Sequence, residues 1–317
     1  MPDKIIAILW DFDKTLITGY MQVPLFEHYG VDAIRFWDEV NALPDFHAAE
    51  SEGEPFISDS LYLNHILTYV RQGVFAGLDN ALLRRLGAKL DLAAGVPGIF
   101  EDIARFTHDH PAFRDGTIGL EHYVISTGLR QMVLGSAVAP YMRHIWGCEF
   151  LERVAPPGFL DGAVGEPGPG AICDIGYVID HTSKTRAIFE INKGVREKLG
   201  VNVNTSIPER QRRVPFANMI YIADGPSDIP SLSLLNQFGG STFGVYQGGS
   251  PRDFEQAKQL LDQRRVQAIG PADYRQGSDT CKWLLDTIAG IADRLARSPA
   301  VATMAAPIAA TPGHIYK

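Results

Sequence analysis

Cysteine is scarce in this chain of 317 residues. The three present, Cys148, Cys173 and Cys281, lie far apart and form no Cys-x-x-Cys pair. That spacing excludes a disulfide framework or a cysteine zinc site and fits reduced thiols in the cytoplasm. Long apolar runs are also missing. None approaches the ~18 residues a membrane-spanning helix needs, so no membrane partner is expected. The N-terminus lacks a basic stretch followed by an apolar core and a small-residue cleavage site, so no secretory signal is expected. Basic residues are the minority, 29 Lys and Arg against 37 Asp and Glu, for a net charge of −8. This argues against a nucleic-acid partner. The local exception, Glu209-Arg210-Gln211-Arg212-Arg213, reads as a solvated loop ahead of a strand. There is no internal repeat.

What is present is 45% hydrophobic and long enough for one large or two modest domains. The apolar run Ile5-Ile6-Ala7-Ile8-Leu9-Trp10 reads as a strand buried on both faces, as in a parallel sheet. It runs into Asp11-Phe12-Asp13-Lys14-Thr15. Asp-x-Asp is common in surface turns, where Asp bonds its own backbone. Here it stands at the carboxyl end of a buried strand, where open α/β sheets bind ligands. Carboxylates gathered there bind a hard cation or act as nucleophiles.

Three later segments repeat the pattern. His122–Ile125 reads as a strand leading into Ser126-Thr127-Gly128 and a helix-like stretch from Leu129 to Val138. A hydroxyl and free backbone N–H groups at such a place suit a phosphate. Tyr177–Asp180 reads as a strand leading to Lys184 at the start of a helix, Thr185 to Ile191. Met219–Ala223 reads as a strand ending in Asp224-Gly225-Pro226-Ser227-Asp228, a second acid pair.

Acid pair, hydroxyl, lysine, acid pair, in that order and at strand ends, resembles the haloacid dehalogenase-like (HAD) superfamily of phosphohydrolases over about Ile5 to Leu235. The Asp-x-Asp-x-Thr opening is most similar to the phosphoserine phosphatase-like branch. The resemblance implies an α/β, Rossmann-like three-layer core with a mainly parallel sheet and a smaller, mostly helical cap. It implies Asp11 as nucleophile and Asp13 as general acid/base. Ser126, Thr127 and Lys184 match the phosphate-binding positions. Magnesium (Mg2+) would be held by Asp11, the carbonyl of Asp13 and Asp224, with Thr15 and Asp228 in support. That branch usually reads Gly-Asp-Gly-x-Asn-Asp in its last motif. Here Ser227 replaces the Asn and Pro226 stiffens the loop, so the branch does not name the substrate. The implied activity is hydrolysis of a small phosphorylated metabolite through an aspartyl-phosphate; phosphotransfer to a second alcohol, or action on a phosphoprotein, would use the same residues. Carbon–halogen hydrolases of the superfamily lack the second acid, so Asp13 speaks against them. Phosphonate hydrolysis by the related route needs a cap lysine, and between residues 17 and 94 there is only Lys89. A non-catalytic scaffold would not need this set.

The segment 17–94 has helical patterns at Val31 to Leu43, Asp59 to Val74 and Asp79 to Leu90, divided by an irregular stretch from Pro44 to Pro55. An insertion there resembles the C1 cap of the superfamily, which gives a core of 1–16 and 95–297 around a cap of 17–94. In it, Arg71 and Glu27 are the charges to consider for a zwitterionic substrate, though solvated helix faces are the favoured reading of both. His47 and His65 read as a loop and a packed histidine, and Phe36 and Trp37 as packing. Ile99 to Thr107 reads as a core helix, and Pro156–Gly176, rich in Gly and Pro, as a loop or hairpin. Beyond Leu235 come strands at Thr242–Tyr246 and Val266–Ile269, a helix at Asp279–Arg297, and an Ala/Pro-rich tail at 298–317 expected to be flexible. Oligomeric state is not readable.

Overall fold

The structure is a computed structural model that describes residues 2–49, 53, 58–161 and 170–297. The expected tail, 298–317, lies outside the described residues, as do 162–169 of the Gly/Pro-rich stretch and parts of the stretch from Pro44 to Pro55.

The first apolar run becomes β1 (Lys4–Trp10), and from Ile6 to Trp10 its side chains are 0% exposed. A strand buried on both faces can only be central, and β1 is. It pairs in parallel with β2 (Ile118–Leu129) on one side and β5 (Met219–Ala223) on the other. Outward from β5 lie β6 (Ser241–Tyr246) and β7 (Ala268–Pro271). Outward from β2 lie β3 (Met142–Leu151) and β4 (Asp174–Tyr177). The order is β4-β3-β2-β1-β5-β6-β7, parallel except for β4 at one edge. The chain reverses its direction of travel across the sheet at β1, so a crevice opens at that strand's carboxyl end.

Between β1 and α5 (Gly98–Asp109) the chain forms a helical cap of α1 (Val23–Tyr29), α2 (Ala33–Ala48), α3 (Leu61–Arg71) and α4 (Asn80–Gly87). It leaves and returns as a ribbon: Ile17 bridges Leu92, Thr18 N–H donates to the Asp91 carbonyl at 2.9 Å, and Ala93 N–H donates to that of Leu16 at 2.9 Å. A cluster of Phe26, Phe36, Tyr69 and Phe75 rings fills the cap. α4 is seated against α6 (Arg130–Gly135) of the core. A Cβ on Gly87 would lie 2.0 Å from the Met132 carbonyl oxygen, and one on Gly135 1.8 Å from that of Arg84. Only glycine permits this approach.

α7 (Ser183–Lys193), α8 (Ile229–Gln237), α9 (Pro251–Asp262) and α10 (Asp279–Arg297) complete the core. None of the described helices is long and apolar enough to cross a membrane.

The structure departs from the sequence pattern in four places. β3 was not anticipated, because Arg143, His144 and Glu149 interrupt its apolar pattern. Tertiary pairing accommodates them: Arg143 Nη2 and His144 Nε2 meet Glu197 at 2.5 and 2.8 Å, and Arg130 Nη1 meets Glu149 at 2.5 Å. Tyr177–Asp180 is not a strand. β4 ends at Tyr177, because the Asp180 carboxylate accepts from the Thr182 and Ser183 N–H groups at 2.8 and 2.6 Å and turns the chain into α7. Ser126-Thr127-Gly128 belongs to β2 itself, at a bulge where four steps from Ile125 to Leu129 oppose two from Trp146 to Cys148. The helix after it is correspondingly short. Finally, α2 runs through Pro44 to Ala48, where an irregular stretch was expected. Its Asp32 cap and its buried Phe36 and Val40 sustain it past the hydrogen bond that proline removes.

Candidate active site

Asp11 follows β1 directly, and its N–H still donates to the Ile222 carbonyl of β5 at 2.9 Å. Its side chain is 4% exposed. The Phe12 carbonyl accepts from Leu16 N–H at 2.9 Å, and Lys14 takes a left-handed φ of 53°. The loop is clamped from outside: Gln247 Nε2 donates to the Lys14 carbonyl at 2.7 Å and the Tyr274 hydroxyl to that of Thr15 at 3.0 Å. The Thr15 hydroxyl lies 3.5 Å from Asp11 Oδ2. The Asp13 carboxylate accepts from Met21 N–H at 3.0 Å.

Lys184, in the first turn of α7, is 0% exposed. Its Nζ lies 2.7 Å from both Asp11 Oδ1 and Asp228 Oδ1. Asp228 also accepts from the Tyr221 hydroxyl at 2.6 Å and the Ser227 hydroxyl at 3.0 Å. With both oxygens taken, it is suited to hold Lys184. Ser126, 1% exposed, accepts from Gly128 N–H at 3.0 Å at the β2 bulge. The Thr127 carbonyl accepts from the Tyr62 hydroxyl of the cap at 2.7 Å.

A cleft of about 510 Å³ is lined by Asp11, Asp13, Ser126, Thr127 and Asp224, together with Lys14, Tyr20, His181, Arg252, Asp253 and Gln256. Asp11, Asp224 and Asp228 have carboxylate oxygens within 4.8 Å of one another. Burial pushes the Asp11 carboxyl up to about 6, with Asp228 adding to the rise and Lys184 opposing it. Burial and then the Asp11 charge push Asp13 up to about 8. Asp224 is raised by burial and then by Asp11 and Asp228. Burial alone would lower the Lys184 pKa, but the two carboxylates more than offset it, and the ammonium persists. Three clustered carboxylates thus face one buried cation. The Asp224 side chain has no hydrogen-bond donor among the described residues. An all-oxygen set with surplus negative charge fits a hard divalent cation.

The structure brings Asp11, Asp13, Ser126, Thr127, Asp224 and Asp228 together from β1, β2 and β5, and Lys184 reaches Asp11 and Asp228 from the first turn of α7. It does not bring the cap candidates with them. Glu27 is exposed, and Arg71 is exposed and donates to the Cys173 carbonyl at 3.4 Å; neither lines the cleft. His65 packs on Phe36 and meets Glu39 Oε2 at 2.8 Å. His47 lies in α2, not in a loop. Phe36 and Trp37 pack the cap. The sequence reading missed Tyr62, Tyr221, His181, Arg252 and Gln256. For Arg252 and Gln256 a signal existed: a helix that follows a core strand starts at the crevice.

No protein-family model matches the chain. A relative from Borreliella burgdorferi, described as an uncharacterized protein, is 39% identical over 290 residues, covering 90% of this chain and 97% of the relative. Among solved structures, a gene product of Archaeoglobus fulgidus superposes with a TM-score of 0.50 at 11% identity, covering 93% of this chain and 88% of the other. A HAD-family hydrolase from Salmonella enterica serovar Typhi has a TM-score of 0.49 at 14% identity, over 85% of this chain and 68% of the other. Such structural likeness concerns the fold alone. By sequence the chain belongs to one family with the Borreliella burgdorferi protein.

Proposed function

We propose that the protein is a magnesium-dependent phosphomonoester hydrolase that works through an aspartyl-phosphate on Asp11. The observation that carries this reading is the buried Lys184 ammonium, 2.7 Å from both Asp11 and Asp228, with Asp11 itself lining a cleft together with Asp224 and Ser126. A carboxylate held this way keeps one oxygen fixed by lysine and leaves the other to attack phosphorus. Asp11 and Asp224 are the side chains that would hold the magnesium ion. When bound it neutralises charge between the nucleophile and the incoming phosphate.

Ser126 and the backbone N–H groups around its bulge hold phosphate oxygens, and Lys184 offsets their charge. Asp11 forms a bond to phosphorus as the bond to the leaving oxygen breaks. Asp13, pushed up to about 8, carries a proton at neutral pH and gives it to that oxygen. A water then attacks phosphorus, Asp13 takes the water's proton, and the phosphorus–Asp11 bond breaks to release phosphate and restore the carboxylate. Thr15 steadies Asp11, and Asp228 steadies Lys184.

The ribbon joining Ile17 to Leu92 supports a division into a core of 1–16 and 95–297 and a C1-type cap of 17–94. Free Cys148, Cys173 and Cys281 accord with a cytoplasmic location. A panel of phosphate monoesters, assayed with magnesium and with chelator on the wild type and Asp11→Asn, tests the reading. Magnesium-dependent phosphate release that disappears in the variant is expected. Release that survives in Asp11→Asn or in excess chelator would overturn it.

A further inference from the structure

The cleft has an inner floor of carboxylates and Ser126, and an outer wall supplied largely by α9. Arg252 and Gln256 stand four residues apart and so share one face of that helix. The face is fixed against the metal-binding loop: Gln256 Nε2 donates to the Asp224 carbonyl at 3.2 Å, and a Cβ on Gly225 would lie 2.8 Å from the same nitrogen. Other polar side chains of the wall already have protein partners. Lys14 Nζ pairs with Asp253 at 3.3 Å, and His181 Nδ1 lies 3.4 Å from Asp59 of the cap. Arg252 lines the same cleft and has no ion pair or hydrogen bond among the described residues. It also sits in the first turn of α9, where a cation opposes the helix dipole. Arg252 is solvent-exposed at the mouth of the cleft, so its guanidinium is open to a ligand that enters there.

We propose that Arg252 is a specificity-determining residue that binds a second anionic oxygen group, a carboxylate or a further phosphate, on the leaving-group half of the substrate. The inference rests on the phosphomonoesterase reading. The guanidinium presents a planar fork of donors that matches either group. Selection of the leaving group would then come from α9 of the core.

The test compares three matched esters: a carboxyalkyl phosphate, the hydroxyalkyl phosphate of equal length, and an alkyl bisphosphate. They are assayed on wild type, Arg252→Gln and Arg252→Lys. Wild type should prefer one or both anionic esters, and the two anionic arms identify which group is read. Arg252→Gln should lower the ratio of kcat/KM for anionic over neutral ester about tenfold or more, mainly through KM, as loss of a charged hydrogen bond implies. Arg252→Lys should restore part of that ratio. Equal use of all three esters by wild type, or an equal loss on all three in Arg252→Gln, overturns the inference alone; the equal loss would assign Arg252 to the scissile phosphate. Absence of turnover of every ester overturns the phosphomonoesterase reading and this inference with it.

Discussion

Lys184 Nζ stands 2.7 Å from Asp11 Oδ1, and neither side chain has more than marginal contact with solvent. The two residues are 173 positions apart in sequence. Their ion pair joins the end of β1 to the start of α7, and Asp228 holds the same ammonium from the other side at 2.7 Å.

On the proposed mechanism, Asp11→Asn keeps shape and removes the attacking oxygen. Steady-state phosphate release should fall by more than ~10³-fold, the scale of loss for an essential nucleophile. Lys184 retains Asp228, so the fold should persist. Circular dichroism and a thermal melt alongside the kinetics separate loss of chemistry from unfolding.

Lys184→Met should leave Asp11 and Asp228 facing each other without their cation. Breaking a buried pair on one side typically costs about 3–5 kcal/mol. The penalty should be larger at pH 8 than at pH 5, because at lower pH the carboxylates relieve it by taking up protons. Urea unfolding at both values measures this. A variant as stable as wild type at pH 8 would show that the pair contributes nothing to the fold.

Asp224→Ala should shift the magnesium dependence of activity to higher concentration or abolish it, since its carboxylate is the member of the acid cluster left without a donor. Calcium should inhibit the wild type, because it takes more ligands at longer distances. Titration with each ion followed by chelator reads both effects.

Asp13→Asn should distinguish the two acids. An alkoxide needs a proton to leave, whereas a nitrophenolate departs unaided. Loss of turnover should therefore be greater for alkyl than for aryl esters, by a factor within the ~10²–10⁴ range of positioned proton transfer. With the aryl ester a phosphoenzyme should accumulate, because its hydrolysis also requires the base. Trapping of radiolabelled protein after acid quench checks this; equal losses on both ester types without a trapped species would give Asp13 another role.

His122 offers a pH test away from the cleft. Burial depresses its imidazole from the ordinary 6.5 to about 3, and Trp10 Nε1 donates to its Nδ1 at 3.2 Å. It is neutral in the fold and gains a proton on unfolding below pH 6.5. Its contribution to stability is thus complete above 6.5 and is lost as pH falls towards 3. His122→Asn, which keeps an acceptor for Trp10, should lose stability less steeply than wild type between pH 6.5 and 4. Parallel slopes in denaturant unfolding would contradict the assignment.

The chain by itself determined β1, β5 and α10, because a run of buried apolar residues or a sustained helical period is a local signal carried by neighbours in sequence. It also determined that a carboxylate pair follows β1 and another follows β5, since each pair comes after a continuous apolar run. Tertiary structure decided the rest. β3 carries charges whose partners, Glu197 and Arg130, lie elsewhere in the chain, so no local pattern announces it. The Lys184–Asp228–Tyr221 contacts join residues that only folding brings within hydrogen-bond reach. The outer wall, with Arg252 and Gln256 anchored on the Asp224 loop, exists only because β6 lies beside β5 and starts α9 at the crevice. Local propensity reaches a few residues along the chain, while a binding site is assembled across the sheet, so the sequence names the chemical groups and the fold chooses their neighbours.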